Sequence, residues 1–170
     1  MVVSLFAIVP ISASATTHTH DDITFEPWES TTSLPTTAGN YYLTDDVTIS
    51  ATWTVPTGET NLCLNGHTIS YAGSNGSVIL INNANTKLTV YDCGTTGAIT
   101  GGNTTGNGGG VNITAGTFEL KNGNIEGNVA NNGAVSVNGA NSNFIMSGGN
   151  IRYNAGYGNT DGVTATILIN

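Results

Sequence analysis

The feature that most restricts the fold is a pattern of apolar residues that recurs along the chain. Residues 116–128 (GTFELKNGNIEGN) and 141–154 (NSNFIMSGGNIRYN) follow one plan, with Phe118 and Phe144 26 residues apart. Each unit has an apolar pair two residues apart, a polar gap, a second such pair, and one further apolar residue. Four units fit the plan, and a fifth begins at Ile167 and Ile169; the four are Trp53, Val55, Leu62, Leu64, Ile69; Ile79, Ile81, Leu88, Val90, Ile99; Val111, Ile113, Phe118, Leu120, Ile125; and Val135, Val137, Phe144, Met146, Ile151.

This spacing predicts short strands. Residues two apart point to the same side of a strand, whereas the i, i+3, i+4 spacing of a helix is missing and Gly and Asn recur every few residues. One unit of three very short strands cannot bury its own apolar side, but stacked units can. The sequence therefore predicts an all-β parallel β-helix, a solenoid of about four to five coils spaced by about 4.8 Å.

The first apolar residues of successive units are 26, 32, 24 and 32 residues apart. The extra residues fall in segments 93–97, 101–110 and 154–162, which we expect to leave the stack as loops. Gly123 and Gly149 recur at equivalent bends, and Asn128 and Asn154 end equivalent strands. Gly and Asn tolerate positive φ, and stacked Asn side chains can bond along the solenoid axis.

The N-terminal segment does not repeat. Residues 1–15 combine an apolar run with the small-x-small pattern Ala13-Ser14-Ala15, which predicts a secretory signal peptide whose basic start is missing. We assign residues 16–45 to an N-terminal tail and cap, and residues 46–170 to the β-helix. The last unit is interrupted at Asn170, so we expect a truncated solenoid that could associate edge to edge with another copy.

Composition limits the partners. The net charge is −8, and the only cations are Lys87, Lys121 and Arg152. Such a chain attracts neither nucleic acid nor an anionic membrane. We expect a secreted, extracellular protein at the cell surface, with no membrane insertion of the mature chain.

The repeats also carry a family resemblance. Segments 116–128 and 143–154, the run GGGVNI at 108–113 and the entry at 34–69 resemble the right-handed parallel β-helix repeats of large secreted surface proteins of Gram-positive, often gut-dwelling, bacteria. The resemblance spans residues 20–170 and implies a stalk or adhesion scaffold. The wider superfamily with this fold includes pectate lyases, so a polysaccharide-binding or polysaccharide-degrading module remains the alternative.

Catalytic residues are not predicted. Glycoside hydrolysis needs two carboxyl groups about 5 to 9.5 Å apart. Glu119 faces outward between Phe118 and Leu120, but its predicted neighbours on adjacent coils are Thr89 and Ile145. Glu126 is predicted to stack on Arg152 as a surface ion pair. An enzyme is therefore the less favoured reading.

Two groups of residues offer binding chemistry. The run HTHDD at 18–22 contains imidazole and carboxylate ligands, but its place beside the predicted cleavage point favours a solvated N-terminus, so we expect neither a metal site nor a cofactor. Aromatic rings can stack on sugars. Candidate contacts for host or cell-wall glycans, or for other surface proteins, are Tyr71, Tyr91, Tyr153 and Tyr157.

The two cysteines present an open question. Cys63 and Cys93 each lie six residues before an equivalent Ile, which would stack them at about 5 Å, within disulfide range. Counted from the preceding strand, however, Cys63 matches Thr89, and Cys93 falls in a four-residue insertion. A disulfide requires that the inserted loop folds back, so a disulfide and two free thiols both remain open.

Overall fold

The structure is a computed structural model that describes residues 17–156 and the strand at 167–169. The predicted signal peptide and Tyr157 lie outside the described residues. Every element of the described part is a strand, and none of it forms a helix long and apolar enough to cross a membrane. The strands are β1 His18–His20, β2 Ile23–Trp28, β3 Asn40–Leu43, β4 Val47–Ile49, β5 Trp53–Thr54, β6 Gly58–Cys63, β7 Thr68–Tyr71, β8 Ile79–Tyr91, β9 Ala98–Thr100, β10 Asn103–Asn107, β11 Val111–Leu120, β12 Asn124–Glu126, β13 Val129–Asn132, β14 Val135–Val137, β15 Ser142–Met146, β16 Asn150–Arg152, β17 Ala155–Gly156 and β18 Ile167–Ile169.

The strands stack as a parallel β-solenoid of about four turns, as the repeat predicts. The first sheet runs β1-β2-β3-β6-β8-β11-β14-β18. The second runs β4-β7-β9-β12-β16, and the third β10-β13-β17. Strands β8 and β11 pass through a bend, so that each pairs with two short strands of a neighbouring coil: β8 with β5 and β6, and β11 with β14 and β15.

The register confirms most of the predicted equivalences. Val111 pairs with Ile79 on one side and with Val135 on the other. Phe118 pairs with Leu88 and Phe144, and its ring stacks on that of Phe144 with centroids 5.7 Å apart. Ile125 lies between Ile99 and Ile151 in the second sheet. The predicted apolar columns are therefore present along the solenoid.

In the first predicted unit, the pairing register of β6 with β8 differs from the prediction by two residues. Leu62 was expected beside Leu88, but β6 pairs Thr60 with Leu88 and Leu62 with Val90. Thr60 is fully buried and occupies the inward position that the pattern gave to an apolar residue. The apolar pattern misplaced the register because a buried Thr cannot be distinguished from a surface Thr by its residue type. Cys63 therefore pairs with Tyr91, and the expected match with Thr89 is wrong.

Asn and Gly make the corners, as predicted. Gly123 and Gly149 have φ of 96° and 77°, values that favour glycine. Asn128 is buried, and its side-chain amide donates to the Ile99 carbonyl at 3.0 Å and to Asn154 Oδ1 at 3.1 Å. Asn154 in turn donates to the Ile125 carbonyl at 2.9 Å. These bonds link successive coils along the axis.

One glycine-rich insertion, segment 101–110, differs from the expected loop. Segment 101–110 contributes β10, which pairs in parallel with β13, and Ala155–Gly156 continues this third sheet. Backbone pairing satisfies polar groups that a closely packed corner would otherwise leave without partners. Segment 101–110 and residues 155–156 thus extend the stack, whereas segment 93–97 contributes no strand and forms a loop, as expected.

The predicted cap also joins the stack. Strand β3 of the cap pairs in parallel with β6, and Leu43 lies fully buried in the same core as the repeat residues. Strand β4, which was already assigned to the β-helix, pairs with β7 and buries Val47 in that core. Among the strand pairs of residues 17–156 and 167–169, β1 with β2 alone is antiparallel, and it forms a hairpin at the edge of the first sheet; an isolated antiparallel bridge also joins Gly76 and Asn103. We call residues 18–28 the N-terminal hairpin.

The exposed large apolar side chains of the described residues include Ile145 and Met146 on β15, which are 46% and 44% exposed. They lie on the side of the solenoid toward the C-terminus. Edge-to-edge association through this side stays a prediction.

Candidate metal centre

A row of side chains crosses the outer face of the first sheet. In the pairing register, Tyr42 on β3 lies beside Cys63 on β6, and Cys63 lies beside Tyr91 on β8. Lys121 follows at the end of β11, where its amide donates to the Val90 carbonyl. The neighbours of Cys63 in sequence, Leu62 and Leu64, point into the core, so Cys63 points outward.

The N-terminal hairpin covers this row. Phe25 on β2 is buried, and together with Cys63 and Tyr91 it forms a small apolar cluster that is separate from the main core. The rings of β1 contact the same row, with His18 stacked on Tyr42 at 4.3 Å and His20 on Tyr91 at 5.0 Å between centroids. His18 and His20 are two apart on one strand and therefore share the face that meets the sheet.

Four ligand-type atoms converge under the hairpin. His18 Nε2 lies 3.1 Å from His20 Nε2 and 3.3 Å from Cys93 Sγ. His20 Nε2 lies 3.2 Å from both Cys63 Sγ and Cys93 Sγ, and the two sulfurs are 3.5 Å apart. All four atoms lie within 4.8 Å of one another.

These distances are close to those of one tetrahedral coordination shell. With Zn–S of about 2.3 Å and Zn–N of about 2.0 to 2.1 Å, an ideal tetrahedron separates two sulfurs by about 3.8 Å, two nitrogens by about 3.3 Å, and sulfur from nitrogen by about 3.6 Å. Five of the six separations are shorter than these values by a few tenths of an ångström, and the sixth, from His18 Nε2 to Cys63 Sγ, is at most 4.8 Å. The arrangement could therefore hold one ion with little movement.

The loop after β8 positions Cys93. The buried carboxylate of Asp92 accepts bonds from the amides of Gly66 at 2.6 Å, Gly94 at 3.2 Å and Gly97 at 3.1 Å. A Cβ on Gly94 would come within 2.8 Å of Gly66 Cα, so the close approach of these two bends requires glycine. The loop consequently folds back toward Cys63, as stacking of the two cysteines requires.

The local electrostatics favour neutral imidazoles. Burial lowers the pKa of His18, and the neighbouring His20 lowers it further. Burial also lowers the pKa of His20, against the opposing effect of the Asp21 and Asp92 carboxylates. Neutral imidazole is the form of histidine that ligates metals. Burial, with a contribution from the Cys93 contact, raises the pKa of the Cys63 thiol to about 12.

An ion pair also fixes the hairpin turn. Lys121 Nζ lies 2.5 Å from Asp21 Oδ2, and the Tyr91 hydroxyl donates to the same oxygen at 3.3 Å. The Lys121 ammonium lies 5.3 Å from the centre of the Tyr91 ring. The side chain of Asp21 is partly exposed, so this contact contributes little stability by itself but helps to set the position of β1.

The sequence left open whether Cys63 and Cys93 meet, and it gave no indication of their histidine neighbours. Cys63 and Cys93 are brought together, and their sulfurs are unbonded at 3.5 Å; a disulfide between them stays a prediction. The run containing His18 and His20 was expected to be a solvated N-terminus, whereas it forms β1 and packs on the sheet. The sequence feature that could have predicted strand β1 is the spacing of the two histidines, two residues apart, followed by the apolar Ile23 and Phe25.

The proposed aromatic candidates do not share one accessible surface. Tyr71 lies in the main core and Tyr91 lies under the hairpin, with 9% and 6% of their surfaces exposed. Tyr153 is 77% exposed, and the Arg152 guanidinium lies 5.3 Å from its ring centre. Among the three that lie in the described part, Tyr153 alone presents a ring that a sugar could reach; its binding role stays a prediction.

Comparison with known proteins returned no match. No protein-family model, no curated protein sequence and no solved structure matches the chain. Function is therefore argued from the residues and their geometry.

Proposed function

We propose that this chain is a non-enzymatic scaffold, a stalk or adhesion module of a secreted bacterial surface protein. A solenoid of this kind extends by adding coils that each contact only their neighbours, which suits a part that spans distance. Its outer surface depends on Asn, Thr, Ser and Gly, since charged residues are 8% of the chain. The expected location is extracellular, at the cell surface.

The observation that carries this proposal is the pairing of three acidic side chains in the described part of the repeat region. Glu119 pairs with Lys87 at 3.0 Å, and Glu126 pairs with Arg152 at 2.8 Å, the latter as predicted. Asp92 is buried and accepts three backbone amides. Each of these carboxylates thus has a structural partner, and none is presented to a substrate as a general acid or base would be.

We also propose which kind of surface protein contains this solenoid and which partners it binds. The resemblance to repeats of Gram-positive surface proteins supports a place in a longer adhesive chain, with host or cell-wall glycans or other surface proteins as partners. The relation to pectate-lyase-like proteins rests on the solenoid architecture, and architecture alone does not determine activity.

The alternative is a polysaccharide-binding or polysaccharide-degrading module. The exposed ring of Tyr153, with the Arg152 guanidinium beside it, is the described feature that favours sugar binding. Rings and guanidinium groups together can contact the apolar and hydroxyl faces of a sugar.

Incubation of the purified chain with pectic and cell-wall polysaccharides tests the scaffold proposal. We expect no increase in reducing ends and no ultraviolet absorbance of unsaturated uronic acids. Either product would contradict a non-enzymatic role. On a glycan array, binding that is lost in Tyr153→Ala but kept in the buried control Tyr71→Phe would instead support the binding module.

A further inference from the structure

We infer that His18, His20, Cys63 and Cys93 form a structural zinc site, which fastens the N-terminal hairpin to the outer face of the solenoid. The inference does not depend on the scaffold role. It concerns residues on three separate segments: strand β1, the end of β6, and the loop after β8.

Hydrogen bonding alone does not account for the cluster. Five of the pairwise separations among the four atoms lie between 3.1 and 3.5 Å. Each ring nitrogen or sulfur carries at most one proton, so at least one of these contacts would bring two lone pairs together. A cation at the centre converts every one of the four lone pairs into a ligand.

The donor set indicates the metal. Two sulfurs and two imidazole nitrogens in a tetrahedral arrangement are typical of zinc, whereas Ca²⁺ and Mg²⁺ take oxygen ligands. Two thiolates and two neutral imidazoles also balance the charge of Zn²⁺, so the bound centre would be neutral. Neutrality matters because the site borders the apolar cluster of Phe25 and Tyr91.

Four protein ligands define a structural role. A catalytic zinc keeps one position for water or substrate, whereas a closed tetrahedral set leaves none. Cys93 is exposed, which gives an ion a path of entry from solvent.

A disulfide between Cys63 and Cys93 would account for only two of the four residues in the cluster. It would need the sulfurs to close from 3.5 Å to about 2.05 Å. It would also leave His20 Nε2, now 3.2 Å from each sulfur, without a ligand role. The zinc site uses all four residues and joins positions 43 and 75 residues apart in sequence.

The first test measures bound metal. The full chain is reduced, loaded with Zn²⁺, desalted and analysed by mass spectrometry for metal content. We expect one zinc per chain, falling at least tenfold in His20→Asn and in Cys63→Ser, and unchanged in the control His67→Asn, since His67 lies outside the cluster. Zinc retained by the two site variants, or no zinc bound by the reduced chain, would overturn the proposal.

A site variant could lose zinc because it misfolds. Two further measurements avoid this ambiguity because they use the unmodified chain. Co²⁺ added to the reduced protein should give the visible bands of tetrahedral cobalt and a thiolate charge-transfer band in the near ultraviolet. Removal of zinc by a chelator should increase hydrogen exchange in residues 18–28 and leave residues 124–152 unchanged. Octahedral cobalt spectra, or unchanged exchange of the hairpin, would contradict a fastening tetrahedral site.

Discussion

Among individual residues, buried asparagines provide side-chain hydrogen bonds that link one coil to the next. Asn128 accepts from the Gly102 amide at 3.0 Å through Oδ1, while its Nδ2 donates to the carbonyls of Ile99 and Glu126. Asn124 donates to the Gly97 carbonyl and accepts from Asn150 at 3.2 Å. Each of these side chains satisfies backbone groups on a neighbouring coil, which turns and bends would otherwise leave unpaired.

Replacement of Asn128 by Ala tests this role. Each buried polar group left without a partner costs about 1 to 3 kcal/mol, so we expect the free energy of unfolding to fall by about 2 to 3 kcal/mol. Urea denaturation followed by the fluorescence of Trp28 and Trp53 measures the change. The exposed Asn143 provides a control, since Asn143→Ala should change stability by less than about 0.5 kcal/mol. Equal effects of the two substitutions would argue against a stabilising role for the asparagine bonds between coils.

At the scale of elements, the hairpin and the solenoid are held by different interactions. The coils share a continuous apolar core and long parallel ladders. Beyond the parallel pairing of Glu26–Trp28 with β3, the hairpin rests on a small aromatic cluster, the Asp21–Lys121 ion pair and the four converging ligand atoms. We therefore expect the hairpin to open independently of the solenoid.

Phe25→Ala should open the hairpin selectively. The Phe25 ring lies 5.2 Å from that of His20 and 5.5 Å from that of Tyr91, so its loss removes the centre of the cluster. We expect local stability to fall by about 2 kcal/mol, seen as a roughly 30-fold rise in hydrogen exchange across residues 18–28.

Phe144→Ala is the matched control for that experiment, because Phe144 stacks on Phe118 far along the first sheet. It should increase exchange in β15 and leave the hairpin protected. If Phe25→Ala instead raised exchange uniformly through all coils, the hairpin would be part of the main cooperative unit, contrary to this account.

The same elements show how far the sequence could be used for prediction. Apolar periodicity predicted the units that begin at Ile79, Val111 and Val135, because inward positions of stacked strands must be apolar and recur in register. It misplaced β6 because a buried Thr60 interrupted the pattern. It could not place the hairpin, since the contacts of His18 and His20 depend on outward residues brought together only by the fold.

At the scale of the whole molecule, the solenoid stacks coil on coil, so each added coil buries the apolar side of the one before it. The N-terminal hairpin is the exception to this linear order, because it folds back across β3, β6 and β8 of the first sheet. A zinc ion there would hold the hairpin over Tyr42, Cys63 and Tyr91 on the outer face of the first sheet.

An X-ray structure of the zinc-loaded chain, with anomalous data collected on both sides of the zinc absorption edge, is the most direct test of this account. It should show parallel coils with Phe118 between Leu88 and Phe144, and one anomalous peak about 2.0 to 2.3 Å from Nε2 of both His18 and His20 and Sγ of both Cys63 and Cys93. No such peak, with the Cys63 and Cys93 sulfurs joined at about 2.05 Å and the histidines turned away from them, would contradict it.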